Sequence, residues 1–222
     1  MLEGLKQKVY EANLELIRHG LINFSWGNVS GIDRIQRLVV TKPVGIDYAA
    51  MRPEDMIIVD LDGRVIMGGE NPSSDILIHL ELYKHFTNIG SIVHTHSEWA
   101  TTWAQAEKPI PALGSIHASL FNGEIPCTRA LTNEELTQNF ESNIAKTILE
   151  SHNGIDPLCI PGTLVRNYGP FAWGRNPHAA VQHIQVLEEA AKIAFHTFQL
   201  GKKNSISQLL IDNFQNSHHK HI

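Results

Sequence analysis

The sequence predicts an α/β protein of one domain, with helices packed against a mixed or mostly antiparallel sheet. Three observations lead there. The chain has 222 residues, 42% hydrophobic and 18% charged, which suits one domain with a sizeable core. Its elements run helix, strands, helix, strand, helix, strand, helices, unlike the regular βαβ alternation of a doubly wound parallel sheet. The Asp62–Gly63 pair between two β-rich runs is a hairpin signal, and hairpins make antiparallel pairs.

The elements follow in order. Leu5, Val9, Ala12 and Leu16 form a helical stripe broken by charges. The Gly/Ser/Asn cluster 24–31 predicts a loop or tight turn, and Leu38–Thr41, Met56–Asp60 and Val65–Met67 predict strands. Asn71–Asp75, with Pro72 and two serines, opens a helix to about Phe86. Asn88–Gly90 breaks it before a buried strand, Ser91–Thr95. Thr132 with Glu135 forms a capping box before Leu136, Phe140, Ile144 and Ile148, spaced as one helix. Thr163–Arg166 predicts a strand closed by a loop over Asn167–Gly174. Asn176–Pro177 caps a long helix that turns Val181, Ile184, Ala191, Phe195 and Phe198 inward and stops at Gly201. A last amphipathic piece spans about Ser205–Phe214, and residues 215–222 suit a mobile tail of the single domain 1–222.

Bulk properties exclude several classes. The net charge is −5 with no block of like charges, so the basic stripe of a nucleic-acid binder is missing. No apolar run reaches transmembrane length, and the charged N-terminal helix is not a signal peptide. Cys127 and Cys159 lie far apart with no Cys-x-x-Cys pattern, which favours buried, reduced thiols over a disulfide. A cytoplasmic protein is expected.

The chemistry-bearing signal is His94-Thr95-His96. Side chains alternate along a strand, so both imidazoles point one way, about 7 Å apart. They can reach one divalent ion, and Zn²⁺ accepts such ligands. In a chain with 13 histidines, a coincidental pair on a strand is the alternative.

Several stretches together carry a resemblance: WGNVS at 26–30, KPVGIDY at 42–48, PSSD at 72–75, IVHTHS at 92–97, WAQA at 103–106, IPCTR at 125–129 and GPFAWG at 169–174. The chain resembles the L-ribulose-5-phosphate 4-epimerase branch of the class II aldolase (fuculose-phosphate aldolase-like) family. That resemblance implies a single class II aldolase-like domain with a mostly antiparallel sheet, a divalent metal (Zn²⁺ first), a small phosphorylated sugar as substrate, and a homotetramer with sites between subunits. It also implies retro-aldol chemistry. The C3–C4 bond of a ketose 5-phosphate breaks, a Lewis-acidic metal stabilises the enediolate, and the aldehyde adds back through its other face. Each face needs its own proton donor and acceptor.

By the same resemblance Gly27, Asn28, Lys42, Val44, Gly45, Ser73 and Ser74 cradle the phosphate, and Ser115 joins the substrate site. Glycine-rich turns and helix starts suit oxyanions, although turn glycines and capping serines explain the same residues. Asp75, His94 and His96 match the metal site, with Asp75 also a catalytic candidate. Four positions depart from the family. Val44 stands for a serine of the cradle. Tyr168 stands for the third metal histidine, and a neutral phenol is a poor ligand, so weaker metal binding is implied and Tyr168 is equally readable as a packing residue. Ser119 stands for the catalytic aspartate. The tyrosines lie at 10, 48, 83 and 168, so the family's C-terminal tyrosine has no counterpart. The tail instead ends NSHHKHI, whose histidines suit either a surrogate acid or metal site, or a solvated end. Two functions therefore stand open: an epimerase or aldolase with altered turnover, or a catalytically silent homologue that binds a ligand or assembles.

Overall fold

A computed structural model describes residues 2–22, 26–69, 71–201 and 204–218. The chain enters through helix α1 (Glu3–Arg18) and strands β1 (Gly27–Asp33), β2 (Leu38–Thr41), β3 (Ile57–Asp60) and β4 (Val65–Met67). Helix α2 (Ile76–His85), strand β5 (Ser91–Thr95) and helices α3 (Glu98–Gln105), α4 (Ser115–Ala118), α5 (Asn133–Thr137) and α6 (Phe140–Ser151) follow. Strands β6 (Gly162–Val165) and β7 (Gly169–Gly174) and helices α7 (Pro177–Gln199) and α8 (Gln208–His218) complete it. The strands form one seven-stranded sheet in the order β4-β3-β2-β1-β5-β7-β6, and every pairing within it is antiparallel.

Both faces of the sheet are covered. Val93 and Ala172 face a core with Leu16 of α1, Trp103 of α3, and Ile184 and Leu187 of α7. Their neighbours Ile92, Phe171 and Trp173 face the opposite core, with Ile78 and Leu82 of α2 and Ile144 and Ile148 of α6. Side chains alternate across the pleat, so a strand covered on both faces shows a continuous apolar run instead of a polar-apolar alternation.

Three expectations are corrected by this packing. Residues 27–31 and 169–174 form central strands, not loops, despite their turn-forming composition. At Gly174 an added Cβ would sit 2.7 Å from the backbone nitrogen of Ala180, so glycine there serves the close approach of α7 to β7. The helix expected over 132–148 is two helices. The capping box of Thr132 and Glu135 is present, but Asn139 adopts a left-handed conformation (φ 51°) that turns the chain between α5 and α6. Arg129 joins the two, bonding Glu135 and Glu150 at 2.7 Å each.

Helices α3 and α4 occupy a stretch where the sequence patterns marked no element, and α8 continues to His218, into the region expected as tail. The cysteines are unpaired thiols, but Cys159 is exposed and Cys127 half-buried rather than both buried. Among the described residues no helix is long and apolar enough to cross a membrane.

Candidate functional site

A cavity of about 670 Å³ opens where β1, the chain after β2, the start of α2 and the end of β5 meet. Its lining includes Trp26, Gly27, Lys42, Val44, Gly45, Ser73, Ser74, Asp75, His96 and Tyr168. Asn28 and His94 stand directly behind it. These are neighbours on adjacent strands, because Asn28 of β1 pairs with His94 of β5 in register.

One end of the cavity carries hydrogen-bond donors. Lys42 is 5% exposed, and the hydrogen bond of its ammonium is a long one, 3.4 Å to the Pro43 carbonyl. The ammonium lies 5.0 Å from the centre of the Tyr48 ring. Burial lowers its pKa, while the charge of Asp75 opposes that shift. Tyr48 donates to the Gly27 carbonyl at 2.8 Å, tying the loop after Lys42 to β1. Ser73 Oγ accepts from Asn28 Nδ2 at 2.8 Å, and Asp75 at the start of α2 makes no side-chain capping hydrogen bond. Val44 spends its backbone N–H on the Asn71 carbonyl and leaves an apolar side chain half exposed at the rim.

The other end holds the imidazoles. His94 shares its Nδ1 hydrogen with the Pro170 carbonyl at 2.9 Å, which leaves Nε2 unprotonated as the neutral tautomer's free lone pair. That atom faces His96 Nε2 at 3.2 Å. Burial pushes the His94 pKa down to about 4. Burial raises the Asp75 carboxyl, but the neighbouring His94 and the hydrogen bond from Tyr168 hold it below the usual carboxylate range. Tyr168 donates to Asp75 Oδ1 at 2.7 Å, and its phenol is raised well above its ordinary value by burial and by that carboxylate. It stays protonated.

This fold has relatives. The Class II Aldolase and Adducin N-terminal domain family matches residues 7–195. The chain belongs to the class II aldolase family. It is 51% identical over 194 residues, 87% of this chain and 85% of the relative, to "L-ribulose-5-phosphate 4-epimerase UlaF" of Salmonella paratyphi C (strain RKS4594). The protein of that name from Salmonella choleraesuis (strain SC-B67) matches equally. Among solved structures, an "L-fuculose 1-phosphate aldolase" superposes with a TM-score of 0.82 at 24% identity, covering 97% of this chain and 96% of that one. The L-fuculose 1-phosphate aldolase of Glaciozyma antarctica PI12 superposes with a TM-score of 0.78 at 17% identity, over 97% of this chain and 81% of that one. These two show the fold.

Within this class II aldolase domain, the cradle and metal candidates from Gly27 to Tyr168 converge on one cavity, but Ser115 and Ser119 do not. Ser115 starts α4 and Ser119 caps its end; α4 packs against α7 and α8, and Ser119 donates back to the Ile116 carbonyl, 2.8 Å away. The tail histidine side chains at His218, His219 and His221 lie outside the described residues.

The donor set does not fit a cage of three metal ligands. His94 and His96 converge, but Asp75 is engaged by Tyr168 and by Asn28 Nδ2 at 3.2 Å. The third position is a protonated phenol. Among the described residues no three His, Cys, Asp or Glu side chains are arranged to hold an ion.

Glu188 carries no signal in its own stretch of sequence. From α7 it accepts from Ser97 Oγ at 2.7 Å, Trp99 N at 2.8 Å and Ala100 N at 2.9 Å. It thereby caps α3 and fixes the turn immediately after His96.

Proposed function

We propose that the chain binds a phosphorylated ketose in this cavity, as an L-ribulose-5-phosphate 4-epimerase-type member of the family whose retro-aldol turnover is strongly reduced. The observation that carries the binding half is Lys42. A buried ammonium with one long hydrogen bond keeps donors to spare, and Ser73 and Ser74 line the same cavity. A phosphate supplies that ammonium with a close partner charge and acceptor oxygens. The sugar then extends toward His96, Asp75 and Tyr168.

The reduction in turnover follows from what faces the reacting carbons. A retro-aldol step leaves an enediolate that needs stabilising, and re-addition needs a proton donor on each face. Tyr168 replaces an imidazole. Ser119 donates to the Ile116 carbonyl and has no partner base among the described residues, and a lone serine does not exchange protons readily near neutral pH. Sequence 169–222 contains no tyrosine. Zn²⁺, if taken up, would rest on His94 and His96, with Asp75 shared between the ion and the hydrogen bond from Tyr168. A homotetramer in which 115–119 reach a neighbour's cavity belongs to the same proposal.

The test is to assay interconversion of L-ribulose 5-phosphate and D-xylulose 5-phosphate beside a direct binding measurement. Binding with little or no turnover is expected. Turnover matching ordinary epimerases overturns the reduction, and no binding overturns the reading of the cavity. Complete silence is the limiting form of the same reading, favoured by the Tyr168–Asp75 bond.

A further inference from the structure

Tyr168 ties together three parts of the site. Its hydroxyl donates to Asp75 Oδ1 at 2.7 Å. Its ring stacks on His94, with centroids 5.0 Å and planes 18° apart, and it meets His96 edge-on at 5.5 Å. His94 also stacks on Phe171 at 4.2 Å, and Phe171 lies 6.2 Å from Tyr168 with planes 13° apart, so the three rings pack as one cluster that holds the imidazole. Asp75 passes the restraint onward. Its Oδ2 accepts from the Asn28 amide at 3.2 Å, and the same amide nitrogen donates to Ser73 Oγ at 2.8 Å. A continuous run of contacts thus leads from the imidazole pair to a serine of the phosphate end.

A metal at such a site does two things: it holds its ligands in place, and it supplies charge. The first is accomplished here by a phenol and an amide. An ion recruiting Asp75 would also compete with the Tyr168 and Asn28 hydrogen bonds for that carboxylate, which weakens metal uptake. Resting on the reading of the cavity as a sugar-phosphate site, we infer that Tyr168 takes over the organising role of a metal, so that the chain binds its phosphorylated sugar without a divalent ion. The charge-supplying role has no such substitute, which agrees with binding outlasting turnover.

The experiment uses the full chain, stripped with EDTA and checked for metal content, and titrated calorimetrically with L-ribulose 5-phosphate in EDTA and again with added Zn²⁺. The two wild-type affinities are expected to agree within about threefold. Tyr168→Phe should lose about tenfold in EDTA, the scale of one hydrogen bond to a carboxylate. Tyr168→His should bind weakly in EDTA and recover with Zn²⁺. Thermal unfolding of each variant checks that it folds, and zinc recovery in Tyr168→His is itself evidence of an intact site. Wild-type binding that requires Zn²⁺ overturns the inference, as does a folded Tyr168→Phe that binds like wild type in EDTA. Lys42→Met separates the two levels: it should weaken binding by about 10–100-fold with and without Zn²⁺ alike. If it binds undiminished, the phosphate reading is wrong while the zinc comparison still decides the role of Tyr168. A wild type that binds in neither condition overturns the reading of the cavity, and the inference with it.

Discussion

The two ends of the cavity are built to different degrees of completeness. At the Lys42 end, the buried ammonium, Ser73 and the Asn28 amide that holds it are all present, and only Val44 departs from the pattern the family implies. At the His96 end, two imidazoles stand beside a protonated phenol, and Ser119 lies away from this cavity, bonding the Ile116 carbonyl. The contrast teaches that affinity and turnover rest on separable groups. Contacts to a phosphate far from the reacting carbons act equally in ground and transition state, whereas proton donors and charge stabilisers act in the transition state alone. A chain can lose the second set and still bind.

The largest effect expected concerns turnover. Each missing acid/base group costs about 10²–10⁴-fold in rate, so wild-type epimerisation should sit near the detection limit. Tyr168→His combined with Ser119→Asp should raise it above either single change when product formation is followed by a coupled assay. Wild-type turnover equal to that of the double variant would erase the contrast between the two ends.

Next comes the phosphate end. Removing the ammonium in Lys42→Met should weaken sugar-phosphate affinity by about 10–100-fold, the scale of charge-assisted hydrogen bonds. Titration calorimetry reads it, and the loss should shrink for an unphosphorylated ketose.

A smaller effect is expected at Gly169, which joins the two ends' fates to the backbone. It sits at φ 155°, and an added Cβ would lie 2.8 Å from the Thr95 carbonyl and 3.4 Å from both imidazoles. Gly169→Ala should lower stability by about 1–3 kcal/mol in denaturant unfolding and disturb zinc uptake by the histidine pair. An unchanged midpoint would mean that β7 shifts freely to make room.

The smallest effect is pH dependence. His79 lies beneath Asp75 on α2, fully buried, with Ser30 Oγ at 2.7 Å. Burial pushes its pKa from 6.5 down to about 3. The unfolded chain therefore binds more protons below pH 6.5, and stability falls as pH drops through that value toward 3, by at most about 1.4 kcal/mol per pH unit for one group. His79→Gln should flatten that slope in unfolding curves taken between pH 7 and pH 5. An unaltered slope would assign it to other groups such as His152, whose pKa burial also lowers.

Much of this molecule was legible from local sequence. The stripe Leu5, Val9, Ala12, Leu16 became α1, the Asp62–Gly63 turn joined β3 to β4, Asn176–Pro177 started α7, and His94 and His96 converged as strand alternation requires. Local propensity and period determine such features because their partners are a few residues away. The residues at 168 and 119 also carried, through the resemblance, the expectation of an altered reacting end on which the proposed function rests. Only the tertiary structure decided the rest. In the strands 27–33 and 169–174, α1 and α7 press close on Gly31 and Gly174, while Gly27 and Gly169 abut the end of β5, and neither the neighbour nor its distance is written in those residues. Tyr168 meets Asp75 across 93 positions, and Glu188 meets Ser97 across 91. A contact of that kind exists only once sheet order and both covering layers are in place, since neither partner carries a local signal for the other.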